Sequence, residues 1–534
     1  MTNSPEYKKV IPTSEKIILP SSSRVYLLAA TTAQLPIENF TQKEWQTLNS
    51  SAVVAGEAGR TCYDKGFLTP QDYLTRSDKH REITDGVINS TLESGHLSTR
   101  QHVHYLFGLE GVSRNFIYQV LHSFPFHNSD QQSQRYVEMS SNTWVVPHDE
   151  FFPPLDELLE GYEEVRRLLI PTAKEFILAR FPARKDVQND AEKKAQEIAR
   201  YLLPLATTAN LYHSVNVLTL MRYHHLSQTY RCSEEAKSVI KSMVTAVSFI
   251  DPRFKEELKK PFTKTDIFPY NEDDAFIQSQ RVVDLLGKRS AKLDESHYLP
   301  ETLANSIRLT LGTHFGKLND LEAIALVLDP KNNKLLGDTL GSAVMDQLTQ
   351  TLNQVYLSAT ARISVVSDSQ LQRHRGFNHT QPLHLPLPRD LSGIYIPELL
   401  KHNKVALNAY LQVQQRNIDH IQKLKAQGVD KDELAYLLTN ATLIEKRFSG
   451  PLLAWHHWLK IRTCLNAQEE IYQIAVQLAQ DLTKVHYIGD HFQKPAPCGV
   501  RVRAGLTPTC PEGDHYCGIQ VWKQTIKDYP KRNI

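Results

Sequence analysis

Cysteine, net charge and long apolar runs are all scarce in this sequence. Six cysteines stand among 534 residues, too few and too unevenly spread for a disulfide framework, so a reducing compartment is expected. The 61 basic and 59 acidic side chains give a net charge of +2. So small a net charge gives no overall positive electrostatic potential that would indicate a nucleic-acid partner. Nowhere do about 18 apolar residues follow one another, and the N-terminal sequence lacks the pattern of a signal peptide. We therefore predict a cytoplasmic protein with neither nucleic acid nor a membrane as partner.

The length allows two to four domains of about 150 residues each. The alternation of Val103, Tyr105, Phe107 and Leu109 predicts a half-buried strand. Beyond residue 150, apolar residues recur at helical spacing. This pattern predicts helices over residues 155–181, 191–205, 214–248, 340–357, 396–427, 431–446 and 451–484. The charged, irregular sequence over residues 251–300 is typical of a connection between two units.

Two short segments resemble each other and raise the question of an internal repeat. In residues 230–236 and 461–467 an arginine, Arg231 or Arg462, precedes an alanine by five residues. The similarity is either a true repeat or a coincidence between two helix-rich segments.

Six arginines stand in or beside apolar helical sequence: Arg135, Arg200, Arg231, Arg373, Arg375 and Arg462. A guanidinium is always charged and binds phosphate through two parallel hydrogen bonds, so an arginine that packs inward needs an anionic partner. Taken singly, each is equally compatible with a solvated or carboxylate-paired side chain. Their combined arrangement carries more information than any one of them.

The stretch from residue 95 to residue 136 is the most specific feature of the chain. It contains, in order, Gly95-His96, Ser98, Gln101-His102, Glu110-Gly111-Val112-Ser113-Arg114, Gln119 and Gln131-Gln132-Ser133-Gln134-Arg135-Tyr136. This order resembles the flavin-dependent thymidylate synthases, which methylate dUMP using FAD, methylenetetrahydrofolate and NADPH. The resemblance implies a methyltransferase with an α+β fold in two diverged copies, helix-rich with small antiparallel sheets.

The resemblance also implies roles for particular residues. The dUMP-binding set would be Gln119, Gln131, Gln132, Ser133, Gln134, Arg135, Tyr136, Arg200, Arg231 and Gln370. The FAD-binding set would be Arg373, His374, Arg375, Ser98, His96 and Gln381. Arg231 or Arg462 would be catalytic, by stabilising negative charge on the uracil ring. For His96, the alternative is a buried, hydrogen-bonded structural histidine.

The chain departs from the family pattern at its Arg-His-Arg triplet. His122-Ser123-Phe124 stands at the expected place, with one residue inserted before Gln131, and the triplet is found at Arg373-His374-Arg375. In the second half, Tyr436 takes the place of Arg200. The halves therefore resemble two copies with complementary losses, over residues 1–255 and 301–534, joined by residues 256–300. Because the family builds each site from several subunits, we expect a homodimer that forms a pseudo-tetramer with fewer active sites.

The C-terminal tail and the reaction itself leave alternatives open. Cys498, Cys510, His515 and Cys517 could form a tetrahedral zinc site, although their spacing is not that of a standard zinc knuckle. Free cysteines or a redox role are the other interpretations. Hydroxymethylation or methylation of another pyrimidine nucleotide, and a degenerate, non-catalytic nucleotide-binding role, also remain open.

Overall fold

The computed structural model of the protein describes residues 23–31, 41–122, 126–139, 144–229, 232–259, 270–294 and 300–532. The chain forms two compact units. The first combines Met1–Pro153 with Leu205–Pro269, and the second combines Pro154–Pro204 with Tyr270–Ile534. Every helix in the described ranges is too short or too polar to cross a bilayer.

The described ranges contain eight strands and nineteen α-helices. The strands are β1 (Arg24–Ala30), β2 (His104–Ser113), β3 (Asn128–Gln131), β4 (Thr208–Asn216), β5 (Ala291–Leu293), β6 (Tyr356–Ser364), β7 (Asn378–His379) and β8 (Leu443–Pro451). The helices are α1 (Gln42–Leu48), α2 (Ser51–Thr61), α3 (Pro70–Thr75), α4 (Asp78–Glu93), α5 (Arg114–Phe116), α6 (Phe152–Arg180), α7 (Gln188–Ala199), α8 (Val217–Thr229), α9 (Glu234–Ile250), α10 (Pro252–Glu257), α11 (Glu272–Leu286), α12 (Pro300–Leu311), α13 (Asp320–Leu328), α14 (Val365–Leu371), α15 (Lys404–Ala426), α16 (Lys431–Leu434), α17 (Leu452–Arg462), α18 (Glu469–Leu482) and α19 (Pro497–Arg503).

The first unit is built on a four-stranded antiparallel sheet in the order β1-β2-β4-β3. Alternate side chains of β2, namely Tyr105, Phe107 and Leu109, are buried, because successive residues of a strand face opposite sides of the sheet. They share one apolar core with Val239 and Met243 of α9. The helices α8 and α9 thus cover the buried face of the sheet.

The second unit repeats this architecture. Its sheet has the order β5-β6-β8-β7, and every neighbouring pair is antiparallel. Its central strands also lead into helices at matching places: α8 begins at Val217 and α17 at Leu452, 235 residues later. The same offset separates Thr207 from Thr442, whose carbonyls accept the N–H groups that open the helices after β2 and β6. The internal repeat and the α+β fold are confirmed.

The segment Pro154–Pro204 follows β3 of the first copy along the chain, yet it packs in the second unit. Its long helix α6 lies against α15, and the two approach so closely that a Cβ atom on Gly161 would stand 2.6 Å from the Val413 side chain. Glu157 pairs with Arg416 at 3.0 Å at one end of this contact. Further along, Pro204 forms a β-bridge with Thr439, its own equivalent in the second copy. This segment of the first copy therefore belongs structurally to the second unit.

Several predicted elements are confirmed and others are wrong. The strand around residue 105 is β2, and the long helix over 155–181 is α6. The helix over 340–357 is wrong, since the chain forms two short 3-10 helices and then β6. The helix predicted over residues 431–446 is correct only for α16, and the strand β8 begins within the rest of that range. The sequence did not indicate this strand because a charged residue, Lys446, occupies one of its buried positions. The irregular region before residue 300 contains α11 and β5.

Candidate functional site

A buried carboxylate ties the central strand to a helix in each unit. The N–H and the hydroxyl of Ser113, at the end of β2, donate to Glu235 of α9 at 2.6 and 2.5 Å. The N–H of Ser364, at the end of β6, donates to Glu470 of α18 at 2.7 Å, and its hydroxyl donates to the same carboxylate. Each serine also caps the helix that follows its strand. The two arrangements are structural equivalents.

This equivalence corrects the register of the repeat read from the sequence. Glu235 and Glu470 are 235 residues apart, so Ala236 corresponds to Ile471 and not to Ala467. The sequence match was therefore displaced by four residues, about one helical turn. A helical pattern is nearly unchanged by a shift of one turn, which is why the sequence did not reveal the displacement.

The same register places Ser227 of α8, and not Arg231, at the position of Arg462. Arg231 itself, predicted to contact the uracil ring, lies outside the described residues.

The helix after the central strand differs between the two units. In the first unit the N–H of His122 donates to the carbonyl of Ile117 at 2.9 Å, the i to i+5 pattern of a π-helix over Ile117–Leu121. In the second unit the N–H of Gln372 donates to the carbonyl of Asp368 at 2.8 Å, the i to i+4 pattern of an α-helix. A π-turn contains one residue more than an α-turn.

The residue inserted in the first copy therefore lies in the π-helix. His122 corresponds to Gln372, and the sequence-based match of His122 with Arg373 is wrong by one position. The equivalents of the triplet are residues 123–125, which lie outside the described residues.

A stack of imidazole rings is the feature of the first unit that sequence reasoning missed. The rings of His122 and His127 are parallel with centroids 4.9 Å apart, and His127 stacks on His213 at 5.5 Å. The Tyr223 hydroxyl lies 3.3 Å from Nε2 of His213. Burial, with the two neighbouring imidazoles, lowers the pKa of His213 well below its ordinary value. These residues are too far apart along the chain for spacing to reveal the stack.

In the second unit, three of the equivalent positions carry no imidazole. Phe377, Phe448 and Trp458 replace His127, His213 and Tyr223, and pack edge to face. The stacked, titratable rings of the first copy are thus replaced by apolar rings in the second.

The predicted nucleotide segment of the first unit forms a tight turn. Gln131 ends β3, and the N–H of Gln132 donates to the carbonyl of Asn210 on the neighbouring strand at 2.9 Å. The hydroxyl of Ser133 accepts the N–H of Arg135 at 3.2 Å and so closes the turn. The fold fixes this segment through its backbone.

The side chains of the turn differ in exposure. Tyr136 is 66% exposed, and the Arg135 guanidinium lies 5.5 Å from the centroid of its ring. Gln134 is buried. Arg135 and Tyr136 can therefore reach a ligand directly, whereas the Gln134 side chain is enclosed by the fold.

The remaining predicted residues of the first unit lie on two elements. His96 and Ser98 are both exposed, at the start of the 3-10 helix Leu97–Gln101. The alternative of a buried structural histidine is therefore wrong for His96. Gln119 is half-buried on the π-helix, and its amide donates to the side chain of Asn115.

The triplet and Arg462, the second arginine predicted to act on the uracil ring, meet in the second unit. Nε of Arg462 donates to Nε2 of His374 at 3.0 Å, and Nη2 of Arg462 donates to the carbonyl of Gln370 at 3.2 Å. His374 must be neutral at Nε2 to accept this bond. Arg373 and Arg375 are exposed on either side of it. Residues 88 and 92 positions apart in the sequence thus form one site.

Positive charge is concentrated around the triplet. Burial lowers the pKa of His374 well below its ordinary value, and Arg462, His457, His379 and Arg373 lower it further. Such a group of cationic and imidazole side chains is suited to an anionic ligand.

One fully buried ion pair lies beneath this cluster. The Asp368 carboxylate on α14 contacts the Lys446 ammonium on β8, and both side chains are 0% exposed. Burial, together with the Lys446 charge, lowers the pKa of the neighbouring His379 to about 4. Sequence reasoning missed this pair, because neither residue belongs to the motif.

The predicted phosphate arginine, Arg200, lies in the second unit and is 5% exposed. Its neighbour Tyr201 donates to Glu470 at 2.8 Å and accepts from the Gln468 amide. Gln468 in turn lies 3.5 Å from the Gln370 amide. A chain of polar contacts thus runs from the segment carrying Arg200 to the triplet.

The second-copy counterpart of Arg200 also needs correction. The 3-10 turns Arg200–Leu202 and Ala435–Leu437 match residue for residue. Ala435 therefore stands in place of Arg200, and Tyr436 corresponds to Tyr201.

Gln381 corresponds to Gln131 and lines a cavity of about 380 Å³ in the second unit. The lining combines apolar residues such as Phe276 and Leu385 with charged ones such as Arg362 and Glu445. The triplet residues are not part of its described lining. The structure thus places Gln381 in a cavity of mixed polarity.

Four cysteines converge next to Arg462. Cys464, Cys498, Cys510 and Cys517 line one cavity of about 20 Å³, and the lining does not include His515. All are free thiols. Burial raises the pKa of Cys464 to about 12 and that of Cys498 to about 11. Within the described ranges, no group of three or more His, Cys, Asp or Glu side chains is arranged to hold a metal ion.

Comparison with known proteins agrees with the repeat. The model of the family described as thymidylate synthase complementing protein matches residues 46–253 and again residues 297–486. The chain belongs to this family, as a divergent member with two copies.

Curated relatives carry a more specific name. The flavin-dependent thymidylate synthase of Clostridium tetani is 27% identical over 217 residues, 39% of this chain and 81% of the relative. That of Nitratidesulfovibrio vulgaris is 27% identical over 197 residues, 35% of this chain and 74% of the relative. Thymidylate synthase X from Helicobacter pylori, solved with FAD and dUMP, aligns with a TM-score of 0.29 and 17% identity, covering 45% of this chain and 100% of that one.

Proposed function

We propose that the protein is a flavin-dependent thymidylate synthase, which methylates dUMP to dTMP with FAD, methylenetetrahydrofolate and NADPH. The observation that carries the proposal is the contact between Arg462 and His374, which joins the uracil-side arginine to the flavin-side triplet. The names of the relatives, all thymidylate synthases that use a flavin, support the same chemistry.

The residues around the triplet fit FAD. Its pyrophosphate is anionic, and Arg373 and Arg375 present exposed guanidinium groups suited to phosphate. The nearby carboxylate of Asp368 does not oppose an anion, because Lys446 neutralises it. When bound, FAD would supply the hydride.

Arg462 would act on the uracil ring. Two hydrogen bonds hold its guanidinium, through Nε and Nη2, in one orientation. A fixed positive charge in a half-buried site stabilises negative charge that develops on a ring carbonyl, and it needs no reorganisation during the reaction. We assign this role to Arg462 because it contacts His374 of the triplet.

The nucleotide would be held by both copies. We assign phosphate binding to Arg135 and Arg200, with Gln119, Gln131, Gln132, Ser133, Tyr136 and Gln370 as further contacts. Gln134 would support the turn. His96 and Ser98, both exposed, would contact the flavin, as would Gln381.

These residues are divided between two units, so complete sites would form in a homodimer arranged as a pseudo-tetramer. The boundaries near residues 255 and 300, and a cytoplasmic location, are part of the same proposal.

The test begins with purified protein. We expect flavin absorbance, either on isolation or after adding FAD, and dTMP formation from dUMP with NADPH and methylenetetrahydrofolate. Arg462→Gln should lower kcat at least 100-fold, as expected for the loss of a charge aimed at the transition state. Arg184→Gln, at an exposed ion pair of the same unit, is the matched control and should retain activity.

Colourless protein that neither binds added FAD nor forms dTMP would contradict the proposal. Mass spectrometry of the product separates methylation from hydroxymethylation, since the two products differ by one oxygen atom.

A further inference from the structure

The buried ion pair of Asp368 and Lys446 occurs in only one of the two copies. When the two copies are aligned, Ile117 corresponds to Asp368. The carbonyl of each accepts the backbone N–H of the residue that ends its helix, His122 or Gln372. Leu211 stands at the position of Lys446, 235 residues earlier. Ile117 and Leu211 are 2% and 4% exposed. The first copy therefore forms the same sheet, and a buried helix after its central strand, with two apolar side chains at these positions.

This comparison separates the fold from the ion pair. Two charges taken out of water lose hydration that their mutual attraction only partly restores, and a buried pair is often no more stable than an apolar pair of similar volume. The copy with apolar residues shows that the architecture does not need the charges. Their presence in the second copy calls for another reason.

The position of the pair supplies that reason. Asp368 lies on α14, the helix that leads directly into the triplet, and Lys446 reaches it from β8. His379 on β7 lies against the pair, and His379 in turn contributes to the environment of His374. In the first copy, which has lost the pair, this same helix has the wider π-turn.

We propose that Asp368 and Lys446 are positioning residues for the flavin site: they fix α14 to β8 in the register that presents Arg373 and Arg375. This inference rests on the proposed function, because it takes the triplet to be where FAD binds.

The test transplants the first-copy residues into the second copy. The full-length double variant Asp368→Ile, Lys446→Leu is expected to fold with a Tm no lower than that of the wild type, because the charges contribute little to stability. Its Kd for FAD, from isothermal titration, is expected to rise at least tenfold. The double variant Ile117→Leu, Leu211→Ile makes changes of similar size in the first copy and should leave the Kd within twofold.

A second readout distinguishes positioning from a general loss of structure. Lys446→Met leaves the Asp368 carboxylate facing His379, whose other charged or titratable neighbour is His374. The carboxylate favours the protonated imidazole, so the pKa of His379 should rise from about 4 toward neutrality. FAD affinity should then fall as pH rises from about 6 to about 8, whereas wild-type affinity should show no such dependence on His379.

The outcomes separate the inference from the proposed function. If wild-type protein binds no FAD, both are overturned. If the wild type binds FAD and the Asp368→Ile, Lys446→Leu variant binds it equally well, only the inference is overturned. An unfolded double variant would also overturn it, since the pair would then serve stability.

Discussion

The buried carboxylate of Glu470 is expected to contribute strongly to stability. It accepts hydrogen bonds from three buried groups: the N–H and the hydroxyl of Ser364 and the hydroxyl of Tyr201. Each buried donor left without a partner costs roughly 1.5 kcal/mol. Glu470→Ala should therefore lower the free energy of unfolding by about 4.5 kcal/mol.

The assay is urea denaturation followed by tryptophan fluorescence. Trp455 and Trp458 report on the core of the second unit, and Trp144 reports on the first. Because two units need not unfold together, the transitions are fitted separately. Glu470→Gln, which keeps an acceptor oxygen, is the control and should cost less than Glu470→Ala. A loss for Glu470→Ala no larger than that for Glu470→Gln would refute the reasoning.

Three further expectations concern burial elsewhere in the chain. The pKa of His213 in the folded protein lies below its unfolded value, so stability should fall as pH drops below about 6.5. His213→Phe should reduce this fall, measured by thermal unfolding from pH 7 to pH 5. An equally steep fall in the variant would contradict this expectation. With a thiol reagent at pH 8, the exposed Cys62 should react well before Cys464, whose thiol pKa is raised to about 12; equal rates would contradict this. Gly161→Ala should lower the free energy of unfolding by about 1–3 kcal/mol, since its Cβ would meet a neighbouring helix. Gly86→Ala, with open space around it, should raise the free energy of unfolding by up to about 1 kcal/mol. A loss of stability at Gly86 as large as at Gly161 would refute the packing argument.

The sequence predicts well where one local pattern decides the structure. The strand β2 follows from period-two alternation, and α6 follows from a long apolar stripe at helical spacing. The triplet at Arg373 is recognisable because its three residues are adjacent. These features need no knowledge of what packs against them.

The features that the sequence conceals depend on contacts between distant residues. Nothing near Lys446 indicates that its charge is paired, because its partner stands 78 residues away. The π-turn at His122 is invisible, since one inserted residue can be accommodated anywhere in the loop that follows. The placement of Arg200 in the second unit is equally hidden, because it depends on how α6 packs against α15.

The most direct test of the central claim is FAD binding by the wild-type chain and by a variant of the triplet. Isothermal titration of the wild-type chain should show saturable FAD binding, and the double variant Arg373→Ala, Arg375→Ala should lose it while keeping the wild-type Tm, since both side chains are exposed. Undiminished FAD binding by this variant would contradict the account.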